Sequence, residues 1–171
     1  MTNGADYGLN MDFLQLSGVD RKFLATPEAY EAEAAVYIDL IQGQAKAPPC
    51  TLLHWGCGAG GYDRVFKRHF TVTGVDLSAG MLEIARSAQP EIDYLEDDMR
   101  TVRLNRQFDA VAIPDSIDYM ATREELEKAV QTAAVHLKLG GVLLVVGKTQ
   151  ETFQNNNFAY SGEKKLIVDR S

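Results

Sequence analysis

The sequence predicts an α/β fold, a three-layer sandwich around a mostly parallel sheet. Three observations carry that expectation. Short apolar strands alternate with stretches of helical spacing. Two of the strands, Ala110 to Ile113 and Val142 to Val146, lack polar alternation, as strands covered on both faces do. The first strand, Thr51 to Trp55, runs into a turn holding Gly56, Gly58, Gly60 and Gly61. Parallel sheets bind ligands at the carboxyl ends of their strands, and that is where such a turn falls.

The elements follow in order. Residues 1–25 are weakly patterned, with a helical turn expected over Asp12 to Leu16, and read as an N-terminal arm or lid. Thr26-Pro27-Glu28 is a helix start: Thr26 can cap, Pro27 suits the first position, and the acid suits the positive end. Tyr30, Ala34, Tyr37, Ile38 and Ile41 give this helix one apolar stripe, and Gly43 can stop it. Past the glycine turn, a helix is expected from Tyr62 to about His69. Phe70 to Val75 reads as the second strand, closed by Asp76. Ser78 caps a helix whose inner face holds Met81, Leu82 and Ala85.

A short strand over Ile92 to Leu95 ends in Glu96-Asp97-Asp98, and a fourth, Phe108 to Ile113, ends in Pro114-Asp115-Ser116. Thr122 to Glu125 is a capping box. Its helix is expected to turn Leu126, Ala129, Val130, Ala133 and Leu137 inward and to end at Gly140-Gly141, before the fifth strand. His69 and His136 are expected on helices, in structural roles. In the tail, residues 148–171, Phe158 to Tyr160 and Leu166 to Val168 read as two short strands around Ser161-Gly162-Glu163. This hairpin either finishes the sheet or opens an antiparallel insert. The body of the fold is residues 26–147.

Bulk properties narrow the function. At 171 residues, 46% hydrophobic and 24% charged, the chain fits one domain with a proper core. A net charge of −7 offers little attraction for nucleic acid or anionic membranes, so neither is an expected partner. The two cysteines, Cys50 and Cys57, flank one strand without metal-like spacing, so no metal site or disulfide framework is expected. Cys57 reads as a small residue in a crowded turn. With no leader-like start and no membrane-spanning run, a cytoplasmic protein is expected.

The candidate site residues close the strands: His54, Asp76, Asp98 and Asp115. Asp76 lies about twenty residues past the glycine turn, where a carboxylate can accept from a ribose diol. Asp98 can accept from an adenine amino group, and the Met99 amide can meet a ring nitrogen. Gly56 to Gly61 also satisfies G-x-G-x-x-G, which alone does not separate a dinucleotide from another adenosine ligand.

Several stretches together resemble the class I S-adenosylmethionine-dependent methyltransferases. They are Leu52 to Gly60, Gly74-Val75-Asp76-Leu77-Ser78 with Met81-Leu82, Asp97 to Arg100, Phe108 to Val111 and His136 to Gly141. They span roughly residues 50–147 in the family's order. Asp115 to Met120 looks like the small-molecule branch, which includes sugar-amine N-methyltransferases. The resemblance implies a Rossmann-like domain that uses S-adenosylmethionine and releases S-adenosylhomocysteine. It implies backbone approach to the methionyl part and ribose at Gly56, Gly58 and Gly60. Asp76 would hold the ribose, Leu77 would lie against the adenine, and Asp98 and Met99 would meet its edge. Asp115 would lie near the transferred methyl.

Two departures stand out. The family usually has Asp or Glu where His54 stands, and its sheet has seven strands where five are read here. The second implies a truncated or unusually short member, with an unfinished edge open to a homodimer. The expected function is direct in-line methyl transfer to N or O of a small-molecule acceptor, with Asp115 first, then Asp118 and His54, as candidate bases. A cofactor-binding domain without catalysis and a nicotinamide-dependent oxidoreductase are the alternatives.

Overall fold

A computed structural model describes residues 26–148 and 164–168. The expected arm over residues 1–25 and the expected strand at Phe158 to Tyr160 lie outside these residues. The sheet has six strands: β1 (Thr51–Trp55), β2 (Thr71–Asp76), β3 (Asp93–Glu96), β4 (Phe108–Pro114), β5 (Leu137–Lys148) and β6 (Lys164–Val168). Their order is β3-β2-β1-β4-β5-β6. The first five are mutually parallel, and β6 runs antiparallel along β5 from Leu144 to Lys148. The tail's Leu166 to Val168 therefore adds a strand to the outer side of β5.

Among the described residues, four α-helices flank the sheet: α1 (Pro27–Gln44), α2 (Asp63–Phe66), α3 (Ala79–Ala88) and α4 (Arg123–His136). Their starts match the signals in the sequence. Thr26 accepts from the Ala29 amide at 3.2 Å, Ser78 from Met81 at 3.3 Å, and Thr122 from Glu125 at 3.2 Å. Strand residues alternate between two cores. Leu52, Val72 and Ala110 pack with Ala34, Tyr37, Ile38 and Ile41 of α1, Phe66 of α2, and Leu82 and Ala85 of α3. Leu53, Trp55, Val111 and Ile113 pack with Ala129 and Ala133 of α4. This is the three-layer sandwich. Truncating Leu53, which is fully buried, to Ala costs about 2–5 kcal/mol.

Three expectations need correction. The helix after the glycine turn covers only Asp63–Phe66, and the chain then continues in turns to Phe70, with His69 exposed in them. Helix α4 ends at His136, not at Gly140-Gly141. Leu137 is already extended (φ −90°, ψ 137°) and pairs with Phe108. The glycines instead serve an irregularity at the start of β5: the register with β4 shifts between Phe108 and Ala110, and Gly140 takes φ +79°. Finally, Leu126 and Val130 of α4 are exposed (41% and 37%), while Thr132 and His136 are buried beside Ala129 and Ala133. His136 is structural: its Nε2 accepts from the Leu104 amide at 3.0 Å, and its Nδ1 lies 2.7 Å from the Thr132 carbonyl.

The strand order decides where a ligand can sit. After β1 the chain crosses to β2 and β3 on one side, then returns past β1 to β4 on the other. The crevice at the carboxyl ends of β1 and β4 is the switch point.

Candidate functional site

The floor of this crevice is the turn after β1. Gly56, Gly58 and Gly60 all have positive φ, at +66°, +54° and +78°. Gly56 is the most constrained. A Cβ there would lie 2.1 Å from Cβ of Ser116, in the loop after β4. Ser116 in turn donates from Oγ to the Trp55 carbonyl at 2.9 Å, so the loops after β1 and β4 are locked together. The Gly56 and Cys57 amides donate to the Val75 carbonyl at 2.8 and 3.2 Å, which ties the turn to β2. Cys57 is buried, and burial, then the nearby Asp63 carboxylate, pushes its thiol well up, so it is no thiolate nucleophile.

Asp76, the last residue of β2, joins the turn to the next helix. Its Oδ2 accepts from the Gly58 amide and its Oδ1 from the Ser78 amide, both at 2.8 Å. A carboxylate has about four acceptor positions, so two remain. Leu77 follows it and is 61% exposed, an apolar surface beside the acid.

Past β3, Asp98 and Met99 differ in placement. Met99 is buried in the cluster with Trp55, Val75 and Ile117. Asp98 is engaged by Arg100, whose amide (2.8 Å), Nε (3.0 Å to each oxygen) and Nη2 (2.6 Å) all donate to it. Those hydrogen bonds hold the Asp98 carboxyl below its usual range. Arg100 also pairs with Glu125 of α4. Asp98 is thus part of an ion-pair chain, which its position in the sequence did not announce.

His54 is almost completely buried, at 1% exposure, and its Nδ1 lies 2.5 Å from Oδ1 of Asp63, which is 0% exposed. Asp63 also accepts from the Tyr94 hydroxyl at 3.0 Å. The imidazole stacks edge-on to Tyr62 and Phe66, with centroids at 6.1 and 5.6 Å. Its second nitrogen, Nε2, is buried and has no hydrogen-bond partner among the described residues. A carboxylate therefore does lie against position 54, supplied by the first residue of α2.

Asp115 follows β4 in the left-handed region, at φ +61°. Its amide donates to the Val146 carbonyl at 2.9 Å, and its Oδ2 accepts from the Tyr62 hydroxyl at 3.2 Å. The same hydroxyl makes a very short bond to Glu33 of α1. Burial, then the bond to Glu33, pushes the Tyr62 phenol far above its ordinary value. Tyr62, Asp63, Glu33 and Tyr94 escaped the sequence reading. Tyr62 and Asp63 directly follow the glycine turn, the signal that was available. Glu33 shares a helix with the buried stripe but carries no pattern of its own.

With this geometry in view, similarity to known proteins is informative. The profile described as "Methyltransferase domain" matches residues 52–141. The chain belongs to the class I S-adenosylmethionine-dependent methyltransferase family. The matched span holds β1 through the start of β5, with every predicted site residue inside it. A dTDP-3-amino-3,4,6-trideoxy-alpha-D-glucopyranose N,N-dimethyltransferase of Streptomyces venezuelae is 38% identical over 128 residues, covering 74% of this chain and 54% of that protein. The structure of Streptomyces venezuelae DesVI superposes with a TM-score of 0.70 at 33% identity, covering 90% of this chain and 61% of that one. An amino pentose methyltransferase from Micromonospora echinaspora, solved with S-adenosylmethionine bound, gives a TM-score of 0.65 at 34% identity, covering 68% of this chain and 50% of that one. The chain spans about half the length of the curated relatives it matches. Among the described residues, no helix is long and apolar enough to cross a membrane.

Proposed function

We propose that the crevice binds S-adenosylmethionine and that the protein transfers its methyl group to the nitrogen of a small amino-sugar acceptor. One observation carries the cofactor reading. The Asp76 carboxylate holds the Gly58 and Ser78 amides at 2.8 Å and keeps acceptor capacity beside a glycine turn. The remaining residues fit such a cofactor. Gly58, at positive φ, has only the end of the Met81 side chain near its Cβ position, so a ligand can approach its backbone closely. The exposed Leu77 offers a surface for a purine face, and the buried His54 Nε2 is an unfilled polar position beside the turn.

When bound, the cofactor supplies a methyl group already activated on a sulfonium, so holding the reactants in line can provide about 7–11 kcal/mol of the barrier. In this reading Asp76 anchors the ribose, and Met99 and Leu77 flank the adenine. Asp98, engaged by Arg100, stiffens the turn beneath the adenine edge and accepts there only with its remaining capacity. Asp115 receives the proton that the acceptor nitrogen sheds. Tyr62 holds the Asp115 carboxylate in place from 3.2 Å. The burial of His54 suits cofactor positioning better than proton exchange with an acceptor.

The nitrogen preference rests on relatives named as amino-sugar N,N-dimethyltransferases. Methyl-labelled S-adenosylmethionine offered with a nucleotide-linked amino sugar and with its hydroxyl counterpart tests it. Label on the amine alone is expected; label on the hydroxyl sugar alone would contradict the nitrogen assignment.

A further inference from the structure

The Tyr62 hydroxyl lies between two carboxylates from distant parts of the chain. It bonds very closely to Glu33 of α1 and lies 3.2 Å from Oδ2 of Asp115, in the loop after β4. Neighbouring rings fix where it points. Tyr62 stacks on Phe66, with centroids 6.0 Å apart, and packs against Tyr30 edge-on at 4.8 Å and Tyr37 at 5.6 Å. A phenol has one proton to donate, and its oxygen also accepts. With that proton turned to Glu33, the oxygen is open to a donor from Asp115. A proton arriving on Asp115 therefore meets an acceptor already in place. Asp115 and Glu33 are each partly exposed while Tyr62 is buried, so the hydroxyl links one partly exposed carboxylate to another.

We propose that Asp115, Tyr62 and Glu33 form a proton relay that carries the acceptor's proton out of the crevice, with Tyr62 and Glu33 acting through Asp115 to clear it for the next transfer. This rests on the amino-sugar reading above. An alkyl amine is mostly protonated near pH 7 and must lose a proton before its nitrogen can attack. The N–H bond breaks as an O–H bond forms on Asp115. That O–H then breaks toward the Tyr62 oxygen while the original phenol O–H breaks toward Glu33, which passes its proton to water. Tyr62 stays neutral throughout, in keeping with its burial and its bond to Glu33, which both oppose a phenolate. Among the described residues, the other titratable groups packed against Tyr62 are Tyr30 and Tyr37 of α1 and His54 of β1.

Steady-state methyl transfer from S-adenosylmethionine to a nucleotide-linked amino sugar, followed against pH, tests the relay. Tyr62→Phe keeps the ring and removes the hydroxyl. Glu33→Gln keeps an oxygen that accepts from the hydroxyl but cannot take its proton. Both are expected to lower kcat about a hundredfold at pH 7, the lower end for a positioned proton-transfer group. Both should rejoin the unaltered protein as pH rises through the acceptor's own pKa, where the amine arrives unprotonated and the relay has nothing to carry. An unchanged rate in Tyr62→Phe, or a loss equal at every pH, overturns the relay. So does a Glu33→Gln protein that matches the parent at pH 7, because a merely structural bond survives in it. Absence of transfer by the unaltered protein overturns the amino-sugar reading itself, which is a different result.

Discussion

Asp109 and Asp76 sit at opposite ends of the same sheet and use their carboxylates differently. At the amino end, Asp109 of β4 accepts from the Cys50 and Thr51 amides at 3.0 and 2.9 Å, the Thr51 hydroxyl at 2.8 Å, and Lys138 at 2.8 Å. It staples the starts of β1, β4 and β5 and has no capacity to spare. At the carboxyl end, Asp76 accepts from two amides among the described residues. Around it stand three glycines at positive φ, a strained Asp115 and an unfilled His54 nitrogen. One end is saturated and the other keeps acceptor capacity at the switch point, where an open parallel sheet binds its ligands.

Substitutions can break or sharpen this contrast. The largest effect is expected at Gly56. A side chain there combines left-handed strain with a 2.1 Å clash against Ser116, so Gly56→Ala should destabilise the fold by roughly 2–6 kcal/mol. Thermal melting checks this; an unchanged midpoint would mean that the loops after β1 and β4 are not locked together.

Asp109→Ala should cost about 2–3 kcal/mol of stability and leave cofactor affinity of the folded protein intact. Burial alone would raise this carboxyl, but hydrogen bonds from Lys138, Thr51 and the Cys50 and Thr51 amides outweigh it and hold it well below the usual range. The sign follows from linkage. A depressed folded pKa stabilises above the unfolded value, about 3.9, and that stability is lost as pH falls toward the folded value. Urea unfolding of parent and variant should therefore converge below about pH 4; a gap that widens on acidification would refute the staple.

Asp76→Ala should show the opposite pattern, weakening S-adenosylhomocysteine by roughly 1–3 kcal/mol in calorimetry with a smaller loss of stability. The smallest effect is expected at Glu127, whose pair with Arg123 is exposed (91% for Arg123, 53% for Glu127). Glu127→Gln should leave both the melting midpoint and the affinity unchanged.

The three-layer fold was legible because period and punctuation agreed along most of the chain. Thr26, Ser78 and Thr122 cap the helices they announced, and the unpatterned runs in β4 and β5 became central strands. Gly140-Gly141 misled because a glycine pair reads alike at a helix end and in a strand irregularity. Only the pairing partner, Phe108, decides between them. At the site, the glycine turn and Asp76 were legible as a spaced pair. That position 54 lacks the family's usual carboxylate was legible too, but the pairing of His54 with Asp63 was not. Asp63 lies nine residues on, inside the core rather than at a strand end, and buried carboxylates carry no periodic signal. The engagement of Asp98 by Arg100 was hidden for another reason: the guanidinium could as easily have pointed to solvent.

Calorimetric titration of the unaltered protein with S-adenosylhomocysteine and, separately, with NAD tests the central claim most directly. The crevice at the carboxyl ends of β1 and β4 should bind S-adenosylhomocysteine at one site per chain and show no heat of binding with NAD. Binding of NAD without S-adenosylhomocysteine would contradict it.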